Sequence, residues 1–554
     1  MVDQQLPSQL LLTTKKPLYC RKTFMLLLIV LLAAALRLIS LGQSPPGLNQ
    51  DEATNAWNTQ CLLKTGKDQV GKSWPIFYTR GLGGNRSTLF IYLSIPFQAI
   101  GGLNILTMRL PAAVVGIAAV LLIYLIAKRL FDQNVALLAA LLLALNPWQL
   151  YQSRWGHEAS VAPLFGIVPL AMLLWANMPI QKDKLQTPRP IIAAFAGAIT
   201  GICCYGYHAI RIFIPTFLLL AILLTLPEWW RQIKTRKGAL AIAAFAATFA
   251  LTFGPLAWQH IFHPEGIARH AQYQPNWIGS DPLSAALKNI PLRYIRHFSL
   301  EFLFMYQVWQ CHWYMLPLMI LGLITLIRRL RSSYAARILL VLIITYPVGD
   351  SLVWRCDINH FRTSPGLCSL FLLAAFGAVT TGAWLWNKNR ILASIIVTVL
   401  AVTIVGINIR YLYFFYGQYN HQRRIYHINH CDLLEACRWL RPRFEQYDAV
   451  FCTTKGMNMP YVLTLVAMKY DPQQWFDEPR DIDTPGEWDF YNRYGKMYFM
   501  YDDSFRNELQ KLQQQGLQRD RVLFIVRPGE LGRMNIIHKI VNPNGLEVLW
   551  LCHP

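Results

Sequence analysis

Long apolar runs recur along this chain of 554 residues, and they constrain its fold more than any other feature. A helix of about 20 apolar residues has the length needed to cross a lipid bilayer. Hydrophobic residues make up 54% of the chain and charged residues only 15%, whereas about 25% of the residues in soluble domains are charged. The sequence therefore predicts an α-helical polytopic membrane protein.

Eleven transmembrane spans are predicted from these runs. The first follows a basic segment and has no clear small-residue cleavage site, so we interpret it as an uncleaved span. Segment 87–102 is apolar but short, and Pro96 interrupts it, which favours an interfacial or re-entrant helix inside one long outer loop, 42–106. The predicted spans are 24–41, 107–128, 134–150, 159–177, 190–208, 211–227, 238–260, 312–327, 335–352, 364–386 and 390–413.

The positive charges indicate the orientation of the chain. The formal net charge is +22, and loops that fall on one side of the predicted spans carry much of it. Because short cytoplasmic loops are rich in Lys and Arg, we predict that residues 1–23 and these loops are cytoplasmic. This distribution explains the basicity without a nucleic-acid partner. The basic loops are 128–133, 181–190, 231–237, 328–337 and 387–390.

The composition changes after the last predicted span. Residues 414–554 alternate polar helical patterns with short β-like runs, which predicts a C-terminal α/β domain on the extracytoplasmic side, after a transmembrane domain at 24–413. The helical patterns are 432–447 and 504–516, and the β-like runs are 448–454, 496–502, 521–528 and 547–552.

Three acidic residues lie in predicted outer loops and are candidates for catalysis. Asp51 and Glu52 follow the first span in the stretch GLNQDEATNAW, and Glu158 ends the second outer loop in YQSRWGHEAS. Capping of a helix is the simpler explanation for the adjacent pair, and solvation is the simpler explanation for Glu158. Two outer loops that each bring an acid to one membrane face nevertheless favour a general base there.

Cationic residues are concentrated on the same predicted side, where the positive-inside rule disfavours them. Each one alone is explained by a side chain that extends toward lipid headgroups. Together they favour a phosphate ligand, since Arg binds phosphate through two parallel hydrogen bonds. The candidate donor-phosphate ligands are Arg80, Arg86, Arg154, His208, Arg211, His360 and Arg362.

Acids and cations at one membrane face suggest transfer of a sugar from a lipid-linked phosphate. A carboxylate would remove a proton from an acceptor hydroxyl or amine, which would attack the anomeric carbon and invert it. Phosphate is already a good leaving group and needs cationic stabilisation rather than a general acid.

The Asp-Glu pair and the run 108–158, with its R-L-P, K-R-L-F, N-P and S-R-x-x-x-E elements, resemble the glycosyltransferases of the GT-C class. The chain is most similar to bacterial family 39/83 enzymes, which are related to protein O-mannosyltransferases and lipid A aminoarabinose transferases. The resemblance covers about the first 220 residues. It implies a GT-C fold, a polyprenyl-phosphate sugar donor, and an extracytoplasmic site in a bacterial inner (plasma) membrane.

Residue by residue, the resemblance implies that Asp51 is the catalytic acid, that Glu158 is the second-loop acid and that Arg86 lies near a family cation. Glu158 departs from the pattern, because the second acid of the family is commonly Asp. Asp51 and Glu158 are also candidate ligands for a divalent metal, Mg or Mn, since carboxylates suit these ions. The acceptor, whether protein, lipid or glycan, and the sugar stay open.

Two other functions are compatible with such a chain. A transporter or flippase of a lipid-linked or anionic substrate would show internal repeats and ionisable residues near the middle of the bilayer. We find no such repeat, and the charges lie at span ends. A non-catalytic membrane scaffold, whose tail binds partners, would tolerate loss of the acids.

Overall fold

The computed structural model describes residues 16–179, 187–262, 283–305, 310–353, 357–483, 489–500, 503–514 and 516–554. Helices dominate the first 413 residues. They are α1 (Lys16–Leu38), α2 (Gln50–Thr65), α3 (Thr88–Gly101), α4 (Ile105–Leu130), α5 (Gln133–Ala144), α6 (Pro147–Gln152), α7 (Ala162–Trp175), α8 (Pro190–Cys203), α9 (His208–Leu224), α10 (Leu226–Ile233), α11 (Arg236–Phe262), α12 (Leu283–Arg296), α13 (Met315–Arg329), α14 (Tyr334–Thr345), α15 (Val348–Ser351), α16 (His360–Thr363), α17 (Cys368–Lys388) and α18 (Arg390–Tyr413).

A helix coincides with each of the eleven predicted spans, and the chain is an integral, multi-pass membrane protein. Among the described residues, six helices are long and apolar enough to cross a membrane, and the bent pair α9 and α10 would add a seventh. The six are Ile105–Leu130, Glu158–Trp175, Arg236–Phe262, Tyr334–Ser351, Cys368–Lys388 and Arg390–His421. The polytopic helical class is confirmed, while the number of eleven spans stays a prediction because several of these helices are short.

Close helix packing in this region depends on small side chains. Gly377 of α17 faces Gly322 of α13, and a methyl group at Gly377 would collide with the Gly322 backbone nitrogen. Membrane helices approach closely where such small residues meet, because lipid tails provide no hydrophobic drive for association. These contacts hold α13 and α17 together.

The outer loop predicted at 42–106 is ordered around α2 and α3. The segment that contains Asp51 forms α2, which Asn49 caps and Gly66 ends in the left-handed conformation. A hairpin of β1 (Tyr78–Gly81) and β2 (Gly84–Ser87) precedes α3, which contains Pro96 as the sequence indicated.

The C-terminal region contains the predicted sheet. Its helices are α19 (Arg423–Ile428), α20 (Cys431–Leu440), α21 (Pro460–Met468), α22 (Pro472–Asp477) and α23 (Asp503–Gln514). Its strands are β3 (Ala449–Thr453), β4 (Arg480–Asp483), β5 (Phe490–Tyr494), β6 (Met497–Met500), β7 (Val522–Val526), β8 (Asn535–Val541) and β9 (Glu547–His553). They form one sheet in the order β4-β5-β6-β3-β7-β9-β8, in which β3 is parallel to β6 and β7. The predicted α/β character is thereby confirmed.

This sheet region packs directly on the outer loop. The indole rings of Trp57 and Trp475 meet edge to face, with centroids 5.9 Å apart. Trp475 donates its indole N–H to the Gln69 carbonyl at 2.8 Å, and the Leu48 amide donates to the Asn429 carbonyl at 2.7 Å. The loop that carries the candidate acids is therefore held between the membrane helices and the sheet.

Candidate active site

Asp51 and Glu52 lie in the first turn of α2, but their side chains have different surroundings. The Asn49 side chain accepts a hydrogen bond from the Asp51 amide at 2.8 Å, and the Glu52 carboxylate accepts one from the Asn49 amide at 3.4 Å, which completes a capping box. Neighbouring residues of a helix point about 100° apart. As a result, the Asp51 side chain is 26% exposed and that of Glu52 only 1%.

Glu52 forms a buried ion pair with Arg109 of α4. The Arg109 Nε and Nη2 groups donate to the two Glu52 oxygens at 2.9 and 3.0 Å, and the Gly156 amide donates to Glu52 Oε1 at 2.8 Å. Arg109 also donates to the carbonyls of Leu41, Pro45 and Gly47. Glu52 thus connects the first outer loop to α4 and to the second outer loop.

Asp51 and Glu158 are joined by one guanidinium group. Arg86 Nη2 donates to Asp51 Oδ1, and Arg86 Nη1 lies 3.4 Å from Glu158 Oε2. Arg86 reaches this position from the end of β2, and Glu158 reaches it from the loop before α7. Three residues that are far apart in the sequence therefore form one acid–cation–acid cluster.

Two further side chains hold the Glu158 carboxylate. Asn55, one helical turn after Asp51, donates to Glu158 Oε2 at 2.9 Å and to the Gly156 carbonyl at 3.2 Å. His157 accepts a hydrogen bond from the Ala159 amide at Nδ1, and its Nε2 lies 3.5 Å from Glu158 Oε2. Glu158 is consequently a buried acid with fixed partners, whereas Asp51 is the accessible acid of the cluster.

Arg86 remains a cation in this setting. Burial would lower the pKa of the guanidinium, but the carboxylates of Asp51 and Glu158 reverse this effect and raise the pKa above its ordinary value. Its Nε–H is buried and has no hydrogen-bond acceptor among the described residues. One N–H group of a permanent cation is therefore left without an acceptor.

Three other predicted cations lie around this cluster. Arg211 donates to the hydroxyl of Ser87, the residue after Arg86, at 3.0 Å. His208, in the first turn of α9, interacts electrostatically with Arg211, Arg362 and Glu158. The permanent positive charge around the acids comes from the guanidinium groups of Arg86, Arg211 and Arg362.

Arg362 is held in place by an acid that sequence reasoning did not identify. Its Nη1 donates to Asp350 Oδ1 at 3.1 Å, and Arg293 and His297 contact Asp350 Oδ2, each at 2.8 Å. Asp350 is fully buried.

Arg80, Arg154 and His360 contact other protein groups, and the phosphate role predicted for them stays a prediction. Arg80 forms a two-point ion pair with Asp489, at 2.6 and 2.8 Å. Arg154 is fully buried and donates to the carbonyls of Ser44, Leu36 and Ile39, so it fixes the end of the first span. His360 hydrogen-bonds the Phe302 carbonyl at 3.1 Å and stacks on the Phe302 ring.

The cluster does not fit the metal that the sequence suggested. Mg and Mn are bound by several oxygen ligands, and the described residues contain no group of three metal-binding side chains. The Arg86 guanidinium lies between Asp51 and Glu158 and occupies the position that a shared cation would take. This side chain already offsets one of the two negative charges of the acids.

Comparison with known proteins identifies the kind of protein that this arrangement resembles. Residues 86–257 match the family described as dolichyl-phosphate-mannose-protein mannosyltransferase. The chain is similar to membrane glycosyltransferases. A search among curated protein sequences returns no match. The matched segment includes Arg86 and Glu158 of the cluster and also the neighbouring Arg211.

Two solved structures of ArnT show the same fold. ArnT from Cupriavidus metallidurans, bound to undecaprenyl phosphate, superimposes with a TM-score of 0.53 at 14% identity, and the match covers 96% of this chain and 98% of ArnT. Its apo form gives 0.52 at 12% identity over the same shares. The oligosaccharyltransferase AglB from Archaeoglobus fulgidus gives 0.49 at 12% identity, covering 81% of this chain and 64% of AglB. The predicted resemblance to the GT-C class is confirmed.

Proposed function

We propose that this protein is a GT-C glycosyltransferase that moves a sugar from a polyprenyl-phosphate donor to an acceptor at the extracytoplasmic face of the membrane. The observation that carries the proposal is the cluster in which Arg86 lies between the accessible Asp51 and the buried Glu158. The mannosyltransferase family match and the fold shared with an ArnT that binds undecaprenyl phosphate support the same class of donor.

In the proposed reaction, Asp51 is the general base. Its carboxylate takes the proton of an acceptor hydroxyl or amine, and the acceptor heteroatom forms a bond to the anomeric carbon. The bond from that carbon to the donor phosphate oxygen breaks, and its electron pair leaves with the phosphate. Displacement in a single step inverts the configuration at the anomeric carbon.

The cations stabilise the departing phosphate in this proposal. Arg86 supplies the central positive charge, and Arg211 and Arg362 add positive charge near the cluster. Preorganised donors of this kind are most effective where water is excluded, because the interactions are weakly screened there. Glu158, held by Asn55 and His157, keeps Arg86 in place rather than transferring a proton. No step in this reaction needs a metal ion.

The proposal is tested with an Asp51→Asn variant in membranes supplied with polyprenyl-phosphate sugars and with native lipid and protein acceptors. We expect sugar transfer by the wild type and a loss of about 10²–10⁴-fold in the variant, the contribution typical of a general base. Asp483→Asn, which changes an exposed carboxylate on the edge strand β4, is the matched control and should keep full activity.

Each alternative result has a clear meaning. Undiminished transfer by a folded Asp51→Asn variant would exclude Asp51 as the base. Movement of an intact lipid-linked substrate across the bilayer, without any transfer by the wild type, would show a transporter or flippase instead.

A further inference from the structure

The short helix α10 is oriented unlike the helix before it. Its axis is bent by 83° from that of α9, so α10 lies along the membrane surface if α9 crosses the membrane. Leu226, Trp229, Trp230 and Ile233 follow the spacing i, i+3, i+4 and i+7, which places them on one face. A helix with such a face typically lies in the interface and buries its apolar side toward the acyl chains.

The apolar face of α10 closes a cavity of about 370 Å³. Its walls come from the end of α7 through Leu173, from α9 through Leu218, and from α11 through Phe245 and Phe249. Every lining side chain is apolar. The volume lies within the range of roughly 300–1,000 Å³ that is common for ligand pockets. Such a lining accepts hydrocarbon and offers nothing to a polar ligand.

Positive charge surrounds the cavity at the α10 end. Lys234 follows α10 directly, is exposed, and has its ammonium nitrogen 5.6 Å from the centre of the Trp230 ring. Arg236 and Lys237, at the start of α11, are also exposed and form no ion pair with any residue that the structure describes. The nearby acid, Glu228, is already paired with Arg231 and Arg337.

We propose that this cavity binds one acyl chain of an anionic phospholipid, whose phosphate contacts Lys234 and the start of α11. The apolar lining and the adjacent unpaired cations match the two halves of such a lipid. The site is separate from the candidate active site, because α9 begins at His208 and first lines the cavity at Leu218, about 15 Å along the helix axis. It is therefore distinct from the proposed donor site.

The test uses the full chain, purified in detergent and then mixed with phosphatidylglycerol or phosphatidylcholine. Native mass spectrometry counts the lipids that each variant retains. Ala246→Phe fills the cavity from a lining position on the exposed side of α11, and its control is Ala247→Phe, at an adjacent exposed position that does not line the cavity. Lys234→Glu reverses the headgroup contact, and its control is Lys388→Glu, an exposed cation at the end of α17.

We expect the wild type to retain one phosphatidylglycerol molecule. Its removal should need a detergent concentration at least tenfold higher than the removal of phosphatidylcholine. Ala246→Phe and Lys234→Glu should lose it, and both controls should keep it, with unchanged melting temperatures. Equal retention of the two lipids, no retained lipid in the wild type, or retention that none of the variants alters would each overturn the proposal. Because Lys234 is exposed, its variant keeps the test valid even if Ala246→Phe disturbs folding.

Discussion

Glu52→Gln is the substitution that best separates the structural and chemical roles of the adjacent acids. The side chain of Glu52 is 1% exposed and that of Arg109 is fully buried, and two short hydrogen bonds join them. Replacing the carboxylate by an amide keeps the shape of the side chain but removes its charge. Arg109 would then be a buried cation without a countercharge, with the amide NH₂ group directed toward one of its N–H donors.

The expected loss of stability in Glu52→Gln follows from this burial. Removing one partner of a buried ion pair costs about 3–5 kcal/mol, mostly because the remaining charge stays desolvated. The carbonyls of Leu41, Pro45 and Gly47 still accept hydrogen bonds from Arg109, so we expect a loss of stability of about 3 kcal/mol, the lower end of this range. Since each kcal/mol shifts the melting temperature of a large domain by about 2–4 °C, the expected fall is several degrees.

The assay compares Glu52→Gln with Asp51→Asn, a matched change one residue away. The melting temperature in detergent reports stability, and initial transfer rates on the folded fraction report chemistry. We expect Glu52→Gln to melt lower and keep most of its rate, and Asp51→Asn to melt near the wild type and lose its rate. A Glu52→Gln protein with the wild-type melting temperature and no transfer would refute the structural role and assign the chemistry to Glu52.

Four further predictions concern the surroundings of Asp51. Arg86→Gln should reduce initial transfer rates by about 10²-fold or more, because the cation shared by Asp51 and Glu158 is lost. Arg86→Lys, which keeps the charge, should recover part of the rate. Gly81→Ala should destabilise the protein by about 1–3 kcal/mol in thermal unfolding and lower transfer, because its methyl group would collide with Thr54 and press on the Arg86 side chain. Arg80→Ala should lower the free energy of unfolding by about 1.5–3 kcal/mol, because buried Asp489 loses its charged hydrogen-bond donor. A double variant in which Arg80 and Asp489 are exchanged should recover part of this loss. Treatment with EDTA should leave transfer rates unchanged, and a requirement for added Mg or Mn would contradict the assignment of Arg86.

Much of the fold was predictable because the length of an apolar run can be read from the local sequence. Each predicted span contains a helix, and the four β-like runs of the tail correspond to β3, β6, β7 and β9. The strands that escaped prediction depend on pairing instead. All four residues of β4, Arg480–Asp483, are exposed and three are charged, so only its pairing with β5 makes this segment a strand. No local pattern carries that information.

The candidate site was predictable at the level of loops but not of contacts. Orientation by positive charge placed Asp51 and Glu158 on one predicted face, and the structure brings them to the same guanidinium. Which of two adjacent acids faces solvent depends on the direction in which α2 packs, and the sequence does not encode this locally. Asn55 also escaped notice, since an amide in a helix has no distinctive signal before its partner is known.

The excess of arginine on the predicted outer face is explained mainly by buried partners. The sequence predicts that cations on the disfavoured side bind an external anion. Arg109, Arg80 and Arg154 instead satisfy Glu52, Asp489 and main-chain carbonyls, and a buried guanidinium is stable only with such partners. A structural test for an arginine that binds a ligand is therefore whether it has an N–H group without a protein acceptor and lies beside an accessible acid. Arg86 meets this test, because its Nε–H has no acceptor among the described residues and Asp51 beside it is partly exposed. A phosphate that arrived there would meet a cation already positioned by two carboxylates.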